Sequence, residues 1–189
     1  MKRVEMRRFK DCEFSDLDAE LMIFDECEFD NCQFEKADFS GKRFMSCRFH
    51  QCNLSMVNFN EAAMREVAFE DCKMIGIDFS KLEALLFAIE LKSCSMDFCI
   101  FSDMDLTKCM FDTSIFTEST FQNCDLSGLR FRHCSFLRAQ FDSCNMQLSD
   151  FTEAQDYIID PERNNITGAY FSHDKLQSLL MKYKINVVY

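Results

Sequence analysis

The sequence predicts an all-β solenoid, one chain wound into a square coil whose stacked turns pair through backbone hydrogen bonds. Three observations carry this. A large apolar residue returns at every fifth position, a small residue stands two positions before it, and cysteines recur at intervals of twenty. A beat of five fits neither a helix of period 3.6 nor a strand of period 2. It fits a chain that turns a right angle after each pentapeptide and closes a square in four.

Call the large position i. From Phe9 to Phe79 it is filled at every step by Phe, Leu or Met, except at Ala19. The beat slips by two residues near Lys81 to Glu83, resumes at Leu86 and runs to Phe151. Of 22 phenylalanines 19 fall on this beat, so Phe29, Phe34, Phe39, Phe59, Phe121 and Phe141 are assigned to the core. The 29 pentapeptides make about seven coils, a rod of roughly 35 Å at one strand spacing per coil.

The small position is i−2. All twelve cysteines fall there, beside Ala37, Ala62, Ala84, Ser114, Ser119 and Ala139; Arg7 and Lys42 break the rule. Cys12, Cys32, Cys52 and Cys72 are twenty apart, and Cys94 continues that column across the slip. The slip is therefore a small bulge and not a change of face, and Cys32 and Cys52 belong to the core. Positions i−1, i+1 and i+2 are mostly polar and point outward. Gly41, Gly76 and Gly128 occupy i+2, a turn position.

Four segments follow: a lead-in over 1–8, the repeat over 9–153, final turns over 154–171, and a different ending over 172–189. Ile166 and Phe171 extend the beat, with Ala169 in the small position. Ser172 then reads as an N-cap, with Asp174 in the first turn. Leu176, Leu179, Leu180 and Tyr183 share one face of a short helix, and "INVVY", with Ile185 and Val187, reads as a strand. So short a helix needs a surface to pack on. It caps the open end of the coil or joins a second copy, and a dimer buries more apolar surface.

The composition is acidic, 32 Asp plus Glu against 21 Lys plus Arg, for a net charge of −11. Such a surface repels nucleic acid and anionic membranes and suits a basic partner. One Pro and four Gly leave no linker. No apolar run is long enough to span a membrane, and the N-terminus lacks the apolar stretch of a signal peptide.

The charge is uneven. Counting every fourth pentapeptide, the face of Ala19, Phe39, Phe59, Phe79, Phe101, Phe121 and Phe141 carries Asp18, Glu20, Asp38, Glu61, Asp78, Asp103 and Asp142 against one base, Lys81. The face of Phe29 mixes acids with bases. The acidic face is the candidate partner surface, a ladder imitating a line of phosphates. Asp at i−1 is also an ordinary feature of such a coil, and surface acids keep a β-rod soluble.

Catalytic chemistry is not expected. No C-x-x-C pair occurs, and stacked cysteines have parallel Cβ vectors, a poor disulfide geometry. They read as reduced structural thiols, which places the protein in the cytoplasm. His50, His133 and His173 are scattered, Gly is too rare for a phosphate loop, and no metal or cofactor is implied.

The stretches "ADFSG" (37–41), "CNLSM" (52–56) and "CDLSG" (124–128) resemble the repeat of pentapeptide-repeat proteins, whose fold is a right-handed quadrilateral β-helix. Residues 157–188 are similar to the C-terminus of Qnr-type quinolone-resistance proteins and the related microcin immunity protein. The matching residues are Ile159-Asp160-Pro161, Asn165, Ala169, Phe171, Leu179-Leu180 and Ile185. The resemblance implies a homodimer joined tail to tail through Leu176, Leu179, Leu180, Tyr183, Ile185 and Val187. It also implies a DNA-mimicking rod that binds DNA gyrase or topoisomerase IV, a type II topoisomerase, and protects it from quinolones or a toxin. Two departures stand out: Lys184 replaces the usual Gly before the final strand, and no large projecting loop is present. The alternative is a scaffold, adaptor or immunity factor with another protein partner.

Overall fold

The computed structural model describes residues 2–17 and 21–186. The chain is a parallel β-solenoid of about seven coils, a right-handed quadrilateral β-helix. Each face is named here by one of its inward phenylalanines, in chain order Phe24, Phe29, Phe34 and Phe39. The Phe29 face is a seven-stranded parallel sheet running from Arg8–Lys10 to Phe131–Arg132. Its partners lie twenty residues apart, Phe9 on Phe29 and Phe29 on Phe49, and twenty-two apart across the slip, Phe69 on Leu91. The Phe34 face is joined by single bridges, Glu13 to Gln33 to Asn53 and onward to Gln155.

Two corner types occur, in consecutive pairs before the slip and in alternation after it. In the tighter one the N–H of i+3 bonds back to the carbonyl of i, as Ala37 does to Phe34 and Leu129 to Leu126. In nearly every corner i+2 is left-handed, and non-glycine residues such as Asn31, Glu61 and His133 sit there at φ between 51° and 59°. The fourth glycine, Gly168, takes this position as well.

The slip changes which faces are extended. Before it, the Phe24 face carries strands (Lys2–Glu5, Leu21–Asp25, Arg43–Met45, Ala63–Arg65) and the Phe39 face has bridges only. After it, the Phe39 face carries strands Ile100–Ser102, Thr120–Gln122 and Gln140–Asp142, and the Phe24 face is bridged at Asp105, Asp125 and Asn145. The slip lies later than the sequence places it. Glu83 N–H still bonds Ala62 in the old register, whereas Ile89 already pairs Val67 in the new one. The two extra residues therefore fall between Ala84 and Ile89, not at 81–83. Leu86, expected inward, is exposed, and Phe87 is buried in the wall instead.

The interior is a set of columns. Phe9, Phe29, Phe49 and Phe69 stack with centroids 4.5–5.0 Å apart, and neighbouring faces meet edge to face, as Phe24 and Phe29 do at 5.5 Å. The assigned core residues Phe29, Phe34, Phe39, Phe59, Phe121, Phe141, Cys32 and Cys52 are all buried. Each such phenylalanine removes about 2–3 kcal/mol worth of apolar surface from water. All twelve cysteines are free, and every one except Cys12 is buried. Their thiols donate to carbonyls of the preceding coil, Cys47 to Phe24 at 3.3 Å and Cys52 to Phe29 at 3.4 Å. Burial pushes the thiols of Cys47, Cys109 and Cys134 up to about 12.

Both ends depart from expectation. The lead-in is itself coil: Lys2–Glu5 pairs with Leu21–Asp25, and Val4 stands over Phe24. At the other end the beat would turn Asp156 and Pro161 inward, but Tyr157 and Ile159 take the interior. The coil then closes with Phe171 stacked on Phe151 at 5.5 Å. The short C-terminal helix is a 3-10 helix over His173–Leu179, followed by a 3-10 turn at Met181–Tyr183. Ser172 makes no cap bond to the backbone, and its hydroxyl goes to the Asp174 carboxylate. Lys184 takes the left-handed conformation at φ 51°. Ile185 and Asn186 are not in a strand, and Val187 lies outside the described residues.

Candidate partner-binding face

The Phe39 face holds Asp38, Glu61, Asp78, Asp103 and Asp142; Asp18 and Glu20 lie outside the described residues. How these carboxylates are held matters more than their number. Asp38 accepts from the Ser40 N–H at 3.0 Å and from Asn58 Nδ2 at 2.9 Å. Asp78 accepts from the Ser80 N–H at 3.1 Å and from the Ser80 hydroxyl. Asp103 accepts from Asn123 Nδ2 at 2.6 Å. These donors are neutral, so they orient the carboxylates without cancelling their charge. The hydrogen bonds from Ser40 hold the Asp38 carboxyl below its usual range, with Lys42 adding a weaker pull.

Among the described residues, Asp38, Glu61, Asp78 and Asp103 make no ion pair, whereas Asp142 pairs with Arg163 at 2.6 Å. The acidic run therefore ends at Asp103 toward the tail. The Phe29 face behaves differently. Arg8 meets Asp30 at 2.9 Å, His50 Nδ1 meets Asp30 at 2.9 Å, and Lys92 meets Glu70 at 2.5 Å. Several of its acids are thus engaged by basic side chains in place.

The sequence reading missed the neutral donors, though a signal for them was present. Asp-Phe-Ser at 38–40 and 78–80, Asp-Leu-Thr at 105–107, Asp-Leu-Ser at 125–127 and Asp-Phe-Thr at 150–152 share one geometry. In each, the carboxylate at i−1 caps the N–H of i+1 at 2.9–3.1 Å. Arg163 carried no such signal, because its partner Asp142 is one coil away.

The tail forms a second surface. Leu176, Leu180, Tyr183 and Ile185 are exposed, and so is Met181, which the helical spacing left out. Leu179 turns the other way and packs against the rod's own core. Lys182 Nζ ties the tail down through Asp160 at 2.6 Å and Glu162 at 2.7 Å, and the Tyr183 hydroxyl donates to Glu162 at 2.6 Å. Between tail and last coil lies an open groove of about 680 Å³, lined in part by Leu137, Tyr157, Ile158, Ser178 and Met181.

Known proteins can now be set beside this geometry. Two matches to the model of the pentapeptide repeat region cover residues 22–97 and 94–171. The chain belongs to the pentapeptide-repeat family. Its fold is similar to that of full-length QnrB1, a plasmid-mediated fluoroquinolone resistance protein: 17% identity over 97% of this chain and 100% of that one, TM-score 0.51. It is also similar to HetL, a pentapeptide repeat protein involved in heterocyst differentiation regulation from the cyanobacterium Nostoc sp.: 11% identity over 90% of this chain and 85% of that one, TM-score 0.51. At such identities the likeness is one of fold. No curated protein matches the sequence. Among the described residues, no helix is long and apolar enough to cross a membrane.

Proposed function

We propose that this pentapeptide-repeat protein is a non-enzymatic, cytoplasmic DNA mimic that engages a type II topoisomerase, DNA gyrase or topoisomerase IV. In this reading it protects the enzyme from quinolones or a toxin, working as a dimer joined through the tail. One observation carries the reading. On the Phe39 face Asp38, Asp78 and Asp103 are oriented by uncharged donors and make no ion pair among the described residues, whereas on the Phe29 face Asp30 and Glu70 pair with Arg8 and Lys92. A fixed row of carboxylates held outside ion pairs on a parallel rod suits a basic groove built for phosphates. The fold shared with QnrB1 and the exposed apolar tail support the same reading.

Asn is the informative substitution, because Asn58 already fills this column and preserves the cap to i+1. Wild-type protein at about micromolar concentration should inhibit supercoiling by purified gyrase, or restore it in the presence of a fluoroquinolone. Asp38→Asn with Asp78→Asn should weaken that effect about tenfold while leaving the melting temperature unchanged. A wild-type protein without effect on gyrase and topoisomerase IV rules the reading out. A second reading, an adaptor or immunity factor for another protein, draws on the Asp142–Arg163 pair that interrupts the face.

A further inference from the structure

The Phe24 face holds an arrangement that neither the acidic face nor the tail accounts for. Arg43 and Glu83 stand in one outward column two coils apart, roughly 10 Å along the rod, with Ala63 between them. Ala63 offers only a methyl group and is buried, covered by its longer neighbours. Arg65 borders it from the neighbouring column, on the residue paired with Met45. Both guanidinium groups turn to the one carboxylate of Glu83, and both reach it poorly: Arg65 Nη2 at 3.4 Å and Arg43 Nη2 at 3.7 Å. Good charge-assisted contacts are about 2.7–2.9 Å. The rod attains these elsewhere, at Arg138–Glu118 and Arg163–Asp142, both 2.6 Å. Arg65 Nε is buried with no hydrogen-bond partner, a cost the rod tolerates at few sites. Two arginines thus share one loosely held carboxylate, and a donor remains unused.

Beside this fork the slip pushes Leu85 and Leu86 outward, 63% and 54% exposed, the latter at φ 61°. Two adjacent leucines facing water on an acidic rod have no role in its own packing, since Phe87 and Ile89 fill the wall behind them.

We propose that Arg43 and Arg65 form a carboxylate-binding fork, that Glu83 occupies it in the free rod, and that a partner polypeptide displaces Glu83. The partner segment presents an acidic side chain to the fork and adjoining apolar side chains to Leu85 and Leu86. Displacement replaces two long contacts with a bidentate pair and supplies an acceptor for Arg65 Nε. The site is distinct from the Phe39 face and does not depend on the topoisomerase reading.

The test uses the full chain and a fluorescein-labelled peptide Gly-Ser-Leu-Phe-Glu-Asp-Leu-Gly-Ser, with its Gln-Asn counterpart and a labelled duplex oligonucleotide as controls. Fluorescence anisotropy should show the acidic peptide binding at least fivefold tighter than the neutral one, and no binding of the duplex. Glu83→Gln removes the internal competitor and should tighten peptide binding several-fold. Arg65→Gln should abolish it, and Leu85→Ser with Leu86→Ser should weaken it, at unchanged circular dichroism. The gain from Glu83→Gln separates competition from support, because a merely structural Glu83 would weaken binding when lost. Equal binding of both peptides, no gain from Glu83→Gln, or preference for the duplex would overturn the proposal.

Discussion

Phe29 and Phe49 are twenty residues apart in sequence, and their rings stack 4.5 Å apart with planes 7° from parallel. Each ring also meets the Phe44 ring edge-on, at 6.4 and 5.6 Å. The column is thus held along the rod by stacked pairs and across it by edge contacts, both favoured aromatic geometries. Phe49→Ala should cost about 3–5 kcal/mol in urea denaturation, because a coil clamped by its neighbours cannot collapse into the cavity. Phe98, exposed at its corner, provides the control: Phe98→Ala should change stability by less than about 0.5 kcal/mol. Equal losses at the two sites would refute the column as the source of stability.

Thiol reactivity reports how closed the wall is. Cys12 alone is not buried, and burial pushes thiols such as Cys47 and Cys134 up to about 12. Titration of native protein with a disulfide reagent near pH 8 should release the equivalent of one thiol quickly and the remaining eleven only on denaturation. Fast release of several equivalents would mean that the coils open far more readily than this packing allows.

The tail should respond to acid. Hydrogen bonds from Lys182 hold the Asp160 and Glu162 carboxyls below their ordinary values of 3.8 and 4.5. A depressed carboxylate pKa stabilises the docked form fully above the ordinary value, and the stabilisation is lost as pH falls through the depressed one. Hydrogen exchange at residues 181–186 should therefore stay slow from pH 7 down to about 5, relative to its intrinsic rate, and accelerate below about pH 4. Lys182→Gln should release the segment already at neutral pH. A pH-independent tail would show that the apolar contact of Leu179 alone holds it.

Leu179 and Leu180 are neighbours in sequence, with one turned to the core and the other 36% exposed. If a second copy covers the exposed side, Leu180→Asp should convert the dimer to a monomer by light scattering without lowering the melting temperature of the rod. Leu179→Ala should instead loosen the tail on its own rod. A Leu180→Asp protein that remains dimeric places the interface elsewhere.

Much of the molecule could be read directly from the chain. The five-residue beat assigned Phe29, Phe121 and Cys52 to the interior, and the twenty-residue cysteine spacing defined the columns. These are local statements: within one corner, backbone geometry alone decides which two of five side chains point inward. Glu61 and Asp103 could likewise be placed on one outward face by counting coils. What tertiary structure decided was everything that depends on residues a coil or more apart. How Asp38 is oriented depends in part on Asn58, and whether Asp142 stands unpaired depends on Arg163. The slip belongs between Ala84 and Ile89, because inter-coil hydrogen bonds set the register while Leu86 and Phe87 serve the beat almost equally well in sequence. The fork of Arg43 and Arg65 on Glu83 exists only because stacking brings residues up to forty positions apart onto one face.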